Sequence, residues 1–225
     1  MRILIIGGGP VTQELLKAFD IERELKKSEI AVIEIDPERA EELSKAFDVI
    51  VIKGDARDIS LYESQISSII PLNEFDAVLA LTDHDEVNVF ALTIARHYGS
   101  AVRLARVKNI RVGEVLSKLE LGMPFIVPAL ISNFIKIYLQ TLLQPKLIGE
   151  TDDLKVYCLT VSGTDKVVNK RIDEIQLPDD VKILFVFDGT RLYVPAKDEV
   201  IKEGHLIYVL ARTSDINVIS EVFKG

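Results

Sequence analysis

Short apolar runs alternate with amphipathic segments along the first half of the chain, and this alternation limits the possible folds most. The first run, RILIIG, precedes a helical pattern through about Leu25, and later runs are followed by segments with similar helical spacing. These later runs are IAVIEID, VIVIKGD, FDAVLALTD and AVRLARV, and PFIVP closes the series. Nearly all-apolar strands are typical of a parallel sheet that helices cover on both faces. The sequence therefore predicts a doubly wound, Rossmann-like α/β unit of six strands that ends near Pro128.

A different pattern begins after Pro145. Four further runs are predicted strands: KVYCLTV, VKILFVF, RLYVP and HLIYVLA. Asp188 and Gly189 separate the second from the third, and this dipeptide favours a hairpin turn. With a last helix from Ser214 to Phe223, this part is a predicted small α+β domain. We expect a Rossmann-like domain over residues 1–128, a crossover helix and linker over 129–150, and the small domain over 151–225.

The net charge limits the kinds of binding partner, and the cysteine content indicates the cellular compartment. The 225 residues include 27 basic and 35 acidic side chains, for a net charge of −8, and Cys158 is the only cysteine. A negative chain is a poor ligand for nucleic acid or an anionic membrane surface. One cysteine forms no intramolecular disulfide, and no apolar window reaches the length of a membrane span. We therefore expect a cytoplasmic protein.

The turn after the first apolar run resembles a phosphate-binding loop. Gly7 and Gly9 occupy the first two positions of the G-x-G-x-x-G fingerprint, and Thr12 stands in place of the third glycine. The first glycine permits the tight turn, and the second allows the backbone to approach a phosphate. The following helix directs its free N–H groups at the same place. Thr12 is small enough to replace a glycine whose role is helix–strand packing.

Acidic and polar side chains follow the next strands. Glu34 ends the second predicted strand, where a carboxylate accepts hydrogen bonds from ribose hydroxyls and repels a 2′-phosphate. This favours NAD(H) or an adenosine nucleotide over NADP(H). Asp36 follows two residues later and is suited either to a role in the site or to capping the helix that begins at Pro37, with capping favoured.

The third and fourth predicted strands end in similar residues. Asp55 ends the third strand, and Thr82, Asp83, Asp85 and Asn88 follow the fourth. Ligands of open parallel sheets bind at this carboxyl edge, although Asp83 and Asp85 are equally suited to capping a helix. The acidic cluster around His84 is better explained by a solvated helix start than by a metal site.

Catalytic and metal-binding residues are not expected. The three histidines, His84, His97 and His205, are scattered, and the sequence contains neither H-E-x-x-H nor C-x-x-C. No nucleophile stands beside a candidate base. We therefore predict a binding protein and not an enzyme.

Several blocks together resemble the RCK (KTN, TrkA-N) domain that regulates potassium transporters and channels. They are ILIIGGGPVTQELL, VIEIDPERAEEL, VIKGDARD, AVLALTDHDEVNVFALTIAR and RLARV. From about Leu154 onward the chain resembles the TrkA-C (RCK-C) domain. The GDA-D and TD-DE-N blocks and the order of the two domains carry this resemblance more specifically than the glycines do.

The resemblance implies a nucleotide site in the first domain. It implies phosphates at Gly7 and Gly9, ribose at Glu34, and adenine near Asp55 and Ala56. The complete predicted site comprises Gly7, Gly9, Pro10, Val11, Glu34, Ile35, Asp55, Ala56, Thr82 and Asp83. Many family members carry a basic residue after the second glycine, where this chain has Pro10. We therefore expect NAD(H) or an adenine nucleotide, with AMP and ADP favoured over ATP.

The resemblance also implies function and partners. It indicates a cytosolic, nucleotide-sensing regulatory subunit that would act on an integral-membrane potassium transporter or channel from the inner face of the membrane. Ligand binding would change the geometry of an oligomer. Two alternatives remain open: an NAD-dependent oxidoreductase, and a nucleotide-binding protein unrelated to potassium.

The segment after Pro128 predicts self-association. Asn133, Lys136, Gln140 and Gln144 form one narrow polar stripe on a helix, and apolar side chains cover most of the remaining circumference. A helix that packs only on its own sheet needs a single apolar side. The resemblance implies that this crossover helix contacts a second copy of the chain. We expect a homodimer, with further assembly into a tetramer or ring left open.

Overall fold

A computed structural model describes residues 1–21, 27–212 and 215–224. The chain divides into two compact units, Met1–Leu130 and Ile131–Gly225. The predicted continuation of the first helix to Leu25, and the predicted start of the last helix at Ser214, lie outside the described residues. No helix in the described ranges has both the length and the apolar character needed to cross a bilayer.

The first unit is built on a six-stranded parallel sheet in the order β3-β2-β1-β4-β5-β6. The strands are β1 (Arg2–Ile6), β2 (Glu29–Glu34), β3 (Ile50–Lys53), β4 (Ala77–Ala80), β5 (Val102–Val107) and β6 (Met123–Ile126). From β1 the chain adds β2 and β3 on one side, and it then returns to add β4, β5 and β6 on the other side of β1. This topological switch point is where open α/β sheets bind ligands.

Helices cover both faces of this sheet. They are α1 (Pro10–Ile21), α2 (Pro37–Ala46), α3 (Ser67–Ile69), α4 (Asp85–His97) and α5 (Ile110–Lys118), with a π-helical segment at Leu61–Ile66 before α3. The predicted helix near Leu61–Ile70 therefore forms mostly as a π-helix. A further helix, α6 (Val127–Leu143), follows β6 and continues into the second unit.

Alternate residues of β1 enter different apolar clusters. Ile3 and Ile5 pack with residues of α1 and α2, whereas Leu4 and Ile6 pack with residues of α4 and α5. Successive side chains of a strand point to opposite faces, so one strand contributes to both cores. The prediction of a doubly wound parallel sheet is confirmed.

The second unit contains a five-stranded sheet in the order β10-β9-β11-β8-β7. The strands are β7 (Lys146–Glu150), β8 (Lys155–Thr160), β9 (Val181–Phe187), β10 (Leu192–Tyr193) and β11 (Leu206–Ala211), and α7 (Ile216–Phe223) follows them. All strand pairs are antiparallel. The hairpin predicted at Asp188 and Gly189 is confirmed, because β9 and β10 pair directly. The second unit is thus the expected small α+β domain.

β7 is the strand that sequence reasoning missed. Its five residues are all exposed, and it pairs with β8 through a register shift between Leu147 and Gly149. An exposed edge strand with an irregularity lacks the period-two alternation that identifies a strand in the sequence.

From Ile131 onward α6 belongs to the second unit, and one narrow face of the helix packs on that unit. The ring of Phe134 contacts that of Phe187, the hydroxyl of Tyr138 donates to the carbonyl of Gly204, and the hydroxyls of Thr141 and Thr160 lie 2.7 Å apart. A neighbouring face remains exposed, with Ile131, Ile135, Leu139 and Leu143 accessible to 55%, 52%, 62% and 86%. These four residues, which we call the exposed α6 stripe, recur every four positions on one side of the helix.

Candidate functional site

A cavity of about 470 Å³ opens at the carboxyl edge of the parallel sheet in the first unit. Its size falls within the range of small-molecule sites, roughly 300–1,000 Å³. All ten residues of the predicted nucleotide site line it: Gly7, Gly9, Pro10, Val11, Glu34, Ile35, Asp55, Ala56, Thr82 and Asp83. The structure therefore brings together residues from the ends of four strands that are far apart in the sequence.

The β1–α1 turn uses its glycines for two different purposes. Gly7 has φ +94°, and a Cβ placed there would lie 2.9 Å from Cγ2 of Thr82. This position needs glycine for two reasons: its φ is positive, and Thr82, just after the end of β4, leaves no room for a Cβ. A Cβ on Gly9 would meet no atom within 4 Å. Gly9 is therefore not required for the packing of the protein itself, and it leaves the backbone open toward the cavity.

Thr12 closes the turn where the fingerprint has its third glycine. Its side chain is completely buried, and its hydroxyl donates to the carbonyl oxygen of Gly7 over 2.5 Å. A glycine at this position would let the helix pack closely on the strand. Threonine instead joins the start of α1 to the turn by a hydrogen bond. The α1 N-terminus remains directed toward the cavity, where it favours an anionic group.

Glu34 is held more firmly than the sequence suggests. Only 3% of it is exposed. Its Oε2 accepts a hydrogen bond from the Gly8 amide over 2.5 Å, and its Oε1 accepts from the Asp36 amide over 2.9 Å and lies 3.4 Å from Nη1 of Arg39. The same carboxylate that lines the cavity therefore also connects β1, β2 and α2. A carboxylate has about four acceptor positions, so capacity remains for a ribose hydroxyl.

Asp36 has the capping role that the sequence predicted. Its Oδ1 accepts from the amides of Glu38 and Arg39, and Pro37 occupies the first turn of α2. The acid that faces the cavity at the end of β2 is therefore Glu34, whereas Asp36 starts the helix.

Asp55 is paired with a cation that sequence reasoning did not include. Arg57 Nε lies 3.0 Å and 3.1 Å from the two carboxylate oxygens, and Nη2 lies 2.6 Å from Oδ2. These hydrogen bonds hold the pKa of Asp55 below its usual value. Ala56 is buried, and its carbonyl accepts a hydrogen bond from the Tyr62 hydroxyl over 2.8 Å. The π-helical segment thus supports the floor of the cavity.

A buried amide organises the ends of β4 and β5. Asn88 Oδ1 accepts from the amide of Thr82 over 3.1 Å and from its hydroxyl over 2.7 Å. Its Nδ2 donates to the carbonyls of Thr82 and Arg106 over 3.0 Å and 2.8 Å. Asn88 therefore positions Thr82 against Gly7 and fixes the backbone of Arg106.

Asp83 and Asp85 have different roles despite their proximity in sequence. The carboxylate of Asp83 forms a hydrogen-bonded ion pair with Arg106, and this contact is the main reason why the pKa of Asp83 lies below its usual value. Asp85 instead accepts hydrogen bonds from the amides of Lys108 and Asn109, both over 2.9 Å. Asp85 secures the β5–α5 loop, whereas Asp83 faces the cavity.

Sequence reasoning missed three arginines in the lining, Arg39, Arg57 and Arg106. Each one is paired with an acidic residue that was considered. Arg106 could have been found from its position in the sequence. It lies near the carboxyl end of β5, just as Asp83 follows the carboxyl end of β4, and these strand ends share one edge of the sheet. In the described part of the chain, no group of three or more His, Cys, Asp or Glu side chains is placed to hold a metal ion.

Comparisons with known proteins agree with this arrangement. The TrkA-N domain matches residues 3–127, and the TrkA-C domain matches residues 158–224. A Trk system potassium uptake protein TrkA homolog of Pyrococcus abyssi is 25% identical, covering 100% of this chain and 98% of the relative. TrkA homolog 1 of Methanosarcina mazei is 24% identical over 99% of this chain. The chain spans only 48% of that relative, about half its length.

Solved structures share the fold. The GsuK channel superposes with a TM-score of 0.67 at 19% identity, covering 100% of this chain and 39% of the channel chain. A structure of the GsuK channel bound to NAD gives 0.65 at 19% identity, over 98% of this chain and 39% of the other. One of GsuK bound to ADP gives 0.51 at 18% identity, over 62% and 35%. Because the two domain matches together span most of the chain in this order, the chain belongs to the TrkA (RCK) family, with a TrkA-N domain followed by a TrkA-C domain.

Proposed function

We propose that this chain is a nucleotide-sensing regulatory subunit of a potassium uptake transporter or channel. The observation that carries the proposal is the cavity at the switch point of the parallel sheet, which all ten predicted site residues line. It combines an open glycine turn at a helix N-terminus with a buried acid at the end of the neighbouring strand. Phosphate and ribose are the groups that this pair of features recognises.

The proposed ligand is NAD(H) or an adenine nucleotide. The ribose would meet Glu34, the adenine would lie near Asp55 and Ala56, and the first phosphate would lie at Gly9. Pro10 supplies no charge, so we favour NAD(H), AMP and ADP over ATP. The NAD-bound and ADP-bound GsuK structures share the fold of the first unit and support the choice of these ligands for tests.

The proposed assembly is a homodimer, and the exposed α6 stripe supports it. Four large apolar side chains at intervals of one helical turn are costly to leave in water. A two-fold interface is self-complementary, so the stripe would pack on its own copy. Further assembly into a tetramer or a ring is compatible with this contact.

Regulation would then follow from a difference in affinity between two states of the assembly. A nucleotide that binds one state more tightly shifts the population toward it, and the assembly transmits the change to an integral-membrane partner. The names of the relatives, potassium uptake proteins, support potassium as the transported ion. The proposed location is the inner face of the cell membrane, through this partner.

Two other functions compete with this proposal. An NAD-dependent oxidoreductase would need an acid–base residue beside the nicotinamide. The acidic side chains at the strand ends around the cavity, Glu34, Asp55 and Asp83, are instead engaged in ion pairs with arginines of the lining. The remaining ionisable side chains of the described lining are His84 and Glu86, which are both exposed and lie 3.6 Å apart. A nucleotide-binding protein unrelated to potassium would have the same site, so only a transport measurement separates it from the favoured function.

Potassium uptake in the source organism tests the proposal. Deletion of the gene should change the initial rate of rubidium or potassium uptake at low external potassium. Wild-type protein should restore the original rate, whereas a Gly9→Ala variant with a blocked phosphate position should not. Uptake that is unchanged by deletion would contradict the potassium function. Oxidation or reduction of a substrate with added NAD(H) would instead support the oxidoreductase.

A further inference from the structure

The π-helical segment Leu61–Ile66 meets the floor of the cavity at two points. Tyr62 is 1% exposed, and its hydroxyl donates to the carbonyl oxygen of Ala56 over 2.8 Å. A Cβ placed on Gly54 would lie 2.1 Å from Cδ1 of Leu61, so this glycine leaves space for the segment. Gly54 and Ala56 both line the cavity. Segments of π-helix are frequent at functional sites, and this one packs against two residues of the candidate site.

The hydroxyl of Tyr62 has a role that packing alone does not require. A phenylalanine ring would fill the same apolar space, whereas a buried hydroxyl needs a hydrogen-bond partner. The Tyr62 hydroxyl finds this partner in the Ala56 carbonyl. Ala56 lies in a turn that the Asp58 amide closes on the Asp55 carbonyl over 2.9 Å. The contact therefore fixes the orientation of the peptide group between Ala56 and Arg57.

The other end of the same peptide group holds the side chain of Asp55. The Arg57 amide donates to Oδ1 of Asp55 over 2.9 Å, and the Arg57 side chain donates to the same carboxylate through Nε and Nη2. Because a peptide group is planar, its carbonyl and its N–H move together. A tilt of this peptide would therefore disturb the contact with Tyr62 and the contact with Asp55 at once.

Asp55 is suited to accept a hydrogen bond from an N–H group of a ligand. Three N–H groups of Arg57 reach its two oxygens, and a carboxylate has about four acceptor positions, so about one remains. Hydrogen bonds from the side chain and the amide of Arg57 hold the pKa of Asp55 below its usual value, and an ionised carboxylate only accepts. Adenine presents an exocyclic amino group, whereas hypoxanthine and guanine carry a carbonyl oxygen at that ring position. The carboxylate would therefore accept from the amino group and repel the carbonyl oxygen.

We propose that Tyr62 is a positioning residue for base recognition. Through the peptide between Ala56 and Arg57, it holds the Asp55 carboxylate where this group accepts from the amino group of adenine. Release of the peptide would also free Arg57, whose side chain is 59% exposed, to donate to a carbonyl oxygen of the base. Tyr62 thus favours an amino purine over a keto purine without touching the ligand. This inference rests on the proposed nucleotide function, which puts the adenine near Asp55 and Ala56.

The test compares AMP with inosine monophosphate (IMP), which carries the carbonyl oxygen, by calorimetry in the full chain. Wild-type protein should bind AMP roughly ten- to a hundredfold more tightly, because one charge-assisted hydrogen bond replaces a repulsion. Tyr62→Phe keeps the ring and should narrow this ratio roughly three- to tenfold, as one neutral hydrogen bond contributes. A general loss of stability would lower both affinities equally, so the ratio reports the position of Asp55.

Two further variants complete the comparison. Tyr98→Phe is the matched control, because the Tyr98 hydroxyl also holds the π-helical segment, through Oε1 of Glu63 over 3.0 Å, and Tyr98 lies outside the described lining. It should keep the wild-type ratio. Asp55→Asn should abolish the preference for AMP, because its amide can donate to a carbonyl oxygen. In the Asp55→Asn background, Tyr62→Phe should cause no further change in the ratio.

The outcomes separate this inference from the proposed function. If wild-type protein prefers AMP but Tyr62→Phe keeps the wild-type ratio, or weakens both nucleotides equally, Tyr62 has no positioning role and the nucleotide site stands. An equal narrowing in Tyr98→Phe would assign the effect to the whole segment and contradict the role of the hydroxyl.

Two results with wild-type protein alone would also overturn the inference. Equal binding of AMP and IMP would show that Asp55 does not select the base, although nucleotide binding itself stands. Binding of neither AMP, ADP nor NAD would end the proposed function, and the inference with it. A thermal unfolding curve for each variant verifies that the compared proteins are folded.

Discussion

The Gly8 amide donates to Oε2 of Glu34 over 2.5 Å, and this hydrogen bond joins the phosphate turn after β1 to the acid that ends β2. The two groups expected to recognise phosphate and ribose are therefore parts of one hydrogen-bonded unit. A ligand that engages one of them meets the other in a fixed position. Binding energy is then not used to assemble the site, which is the advantage of preorganisation.

Glu34 should determine the choice between NAD and NADP. We expect wild-type protein to bind NAD at least tenfold more tightly than NADP, because a buried carboxylate repels a 2′-phosphate. Glu34→Ala should narrow this ratio, since Arg39 is then free to approach the added phosphate. Calorimetry with both dinucleotides measures the ratio. Glu41→Ala, on the exposed side of α2, is the control, and an unchanged ratio in Glu34→Ala would contradict the assignment.

The two glycines of the turn should differ in their effect on stability. Gly7→Ala introduces a Cβ beside Thr82 at a positive φ, so we expect a loss of about 1–3 kcal/mol in unfolding free energy. Gly9→Ala meets no atom, so it should change stability by less than about 1 kcal/mol. Urea unfolding measures both. Equal losses in the two variants would show that the turn differs from the one described.

These residues illustrate what sequence reasoning could reach. Glu34, Asp55 and Thr82 were predicted to meet because each follows a parallel strand, and the carboxyl ends of parallel strands share one edge. Arg106 was missed because its capacity to bind a ligand depends on which of its N–H groups already donate to neighbouring residues, and the sequence does not show this. The hydrogen bonds that hold Glu34 were also hidden, since they depend on the path of the backbone at Gly8.

The helix after Pro128 shows a second limit. Its composition indicated more apolar surface than one sheet would cover, but the periodicity did not show which residues face the chain's own sheet. Phe134 and Tyr138, two large side chains of this helix, contact residues of the second unit's own sheet region. The exposed α6 stripe is therefore the better target for disrupting a dimer.

A charge in the exposed α6 stripe should dissociate the proposed dimer without unfolding the chain. Ile135→Asp and Leu139→Asp place a carboxylate on a surface that is open in the monomer and covered in the dimer, where an unpaired charge costs several kcal/mol. Light scattering should then change from a dimer to a monomer of 25.2 kDa. Lys136→Asp, on the polar stripe, is the control. A wild-type monomer at micromolar concentration would falsify the proposed assembly.

A buried ion pair should stabilise the second unit. Lys224 Nζ lies 2.9 Å from Oδ2 of Asp165, and it also donates to the carbonyls of Leu142 and Thr160 over 2.8 Å and 2.5 Å. Lys224→Met leaves the carboxylate buried and unpaired, so we expect a loss of about 3–5 kcal/mol at pH 7. The double variant with Asp165→Asn should lose less. Urea unfolding of both variants tests this, and an equal loss would contradict a coupled pair.

The same pair predicts sensitivity to acid. Burial opposes ionisation of Asp165, but hydrogen bonds from Ser162 and Lys224 outweigh it and hold its pKa below the usual value. A lowered folded pKa means that the stabilisation is present above the unfolded pKa of about 3.9 and disappears as the pH falls through the folded value. Unfolding free energy should therefore fall below pH 4 more steeply in wild-type protein than in the double variant. Parallel curves for the two proteins would exclude a contribution from Asp165.

Calorimetric titration of wild-type protein and Gly9→Ala with NAD, NADH, ADP, AMP and ATP tests the central claim most directly. We predict one nucleotide bound per chain, with ATP not tighter than all the others by tenfold or more. Gly9→Ala should remain folded and bind at least tenfold more weakly, because its methyl group occupies the approach of the phosphate. The absence of binding by every nucleotide, or unchanged binding in folded Gly9→Ala, would contradict the account.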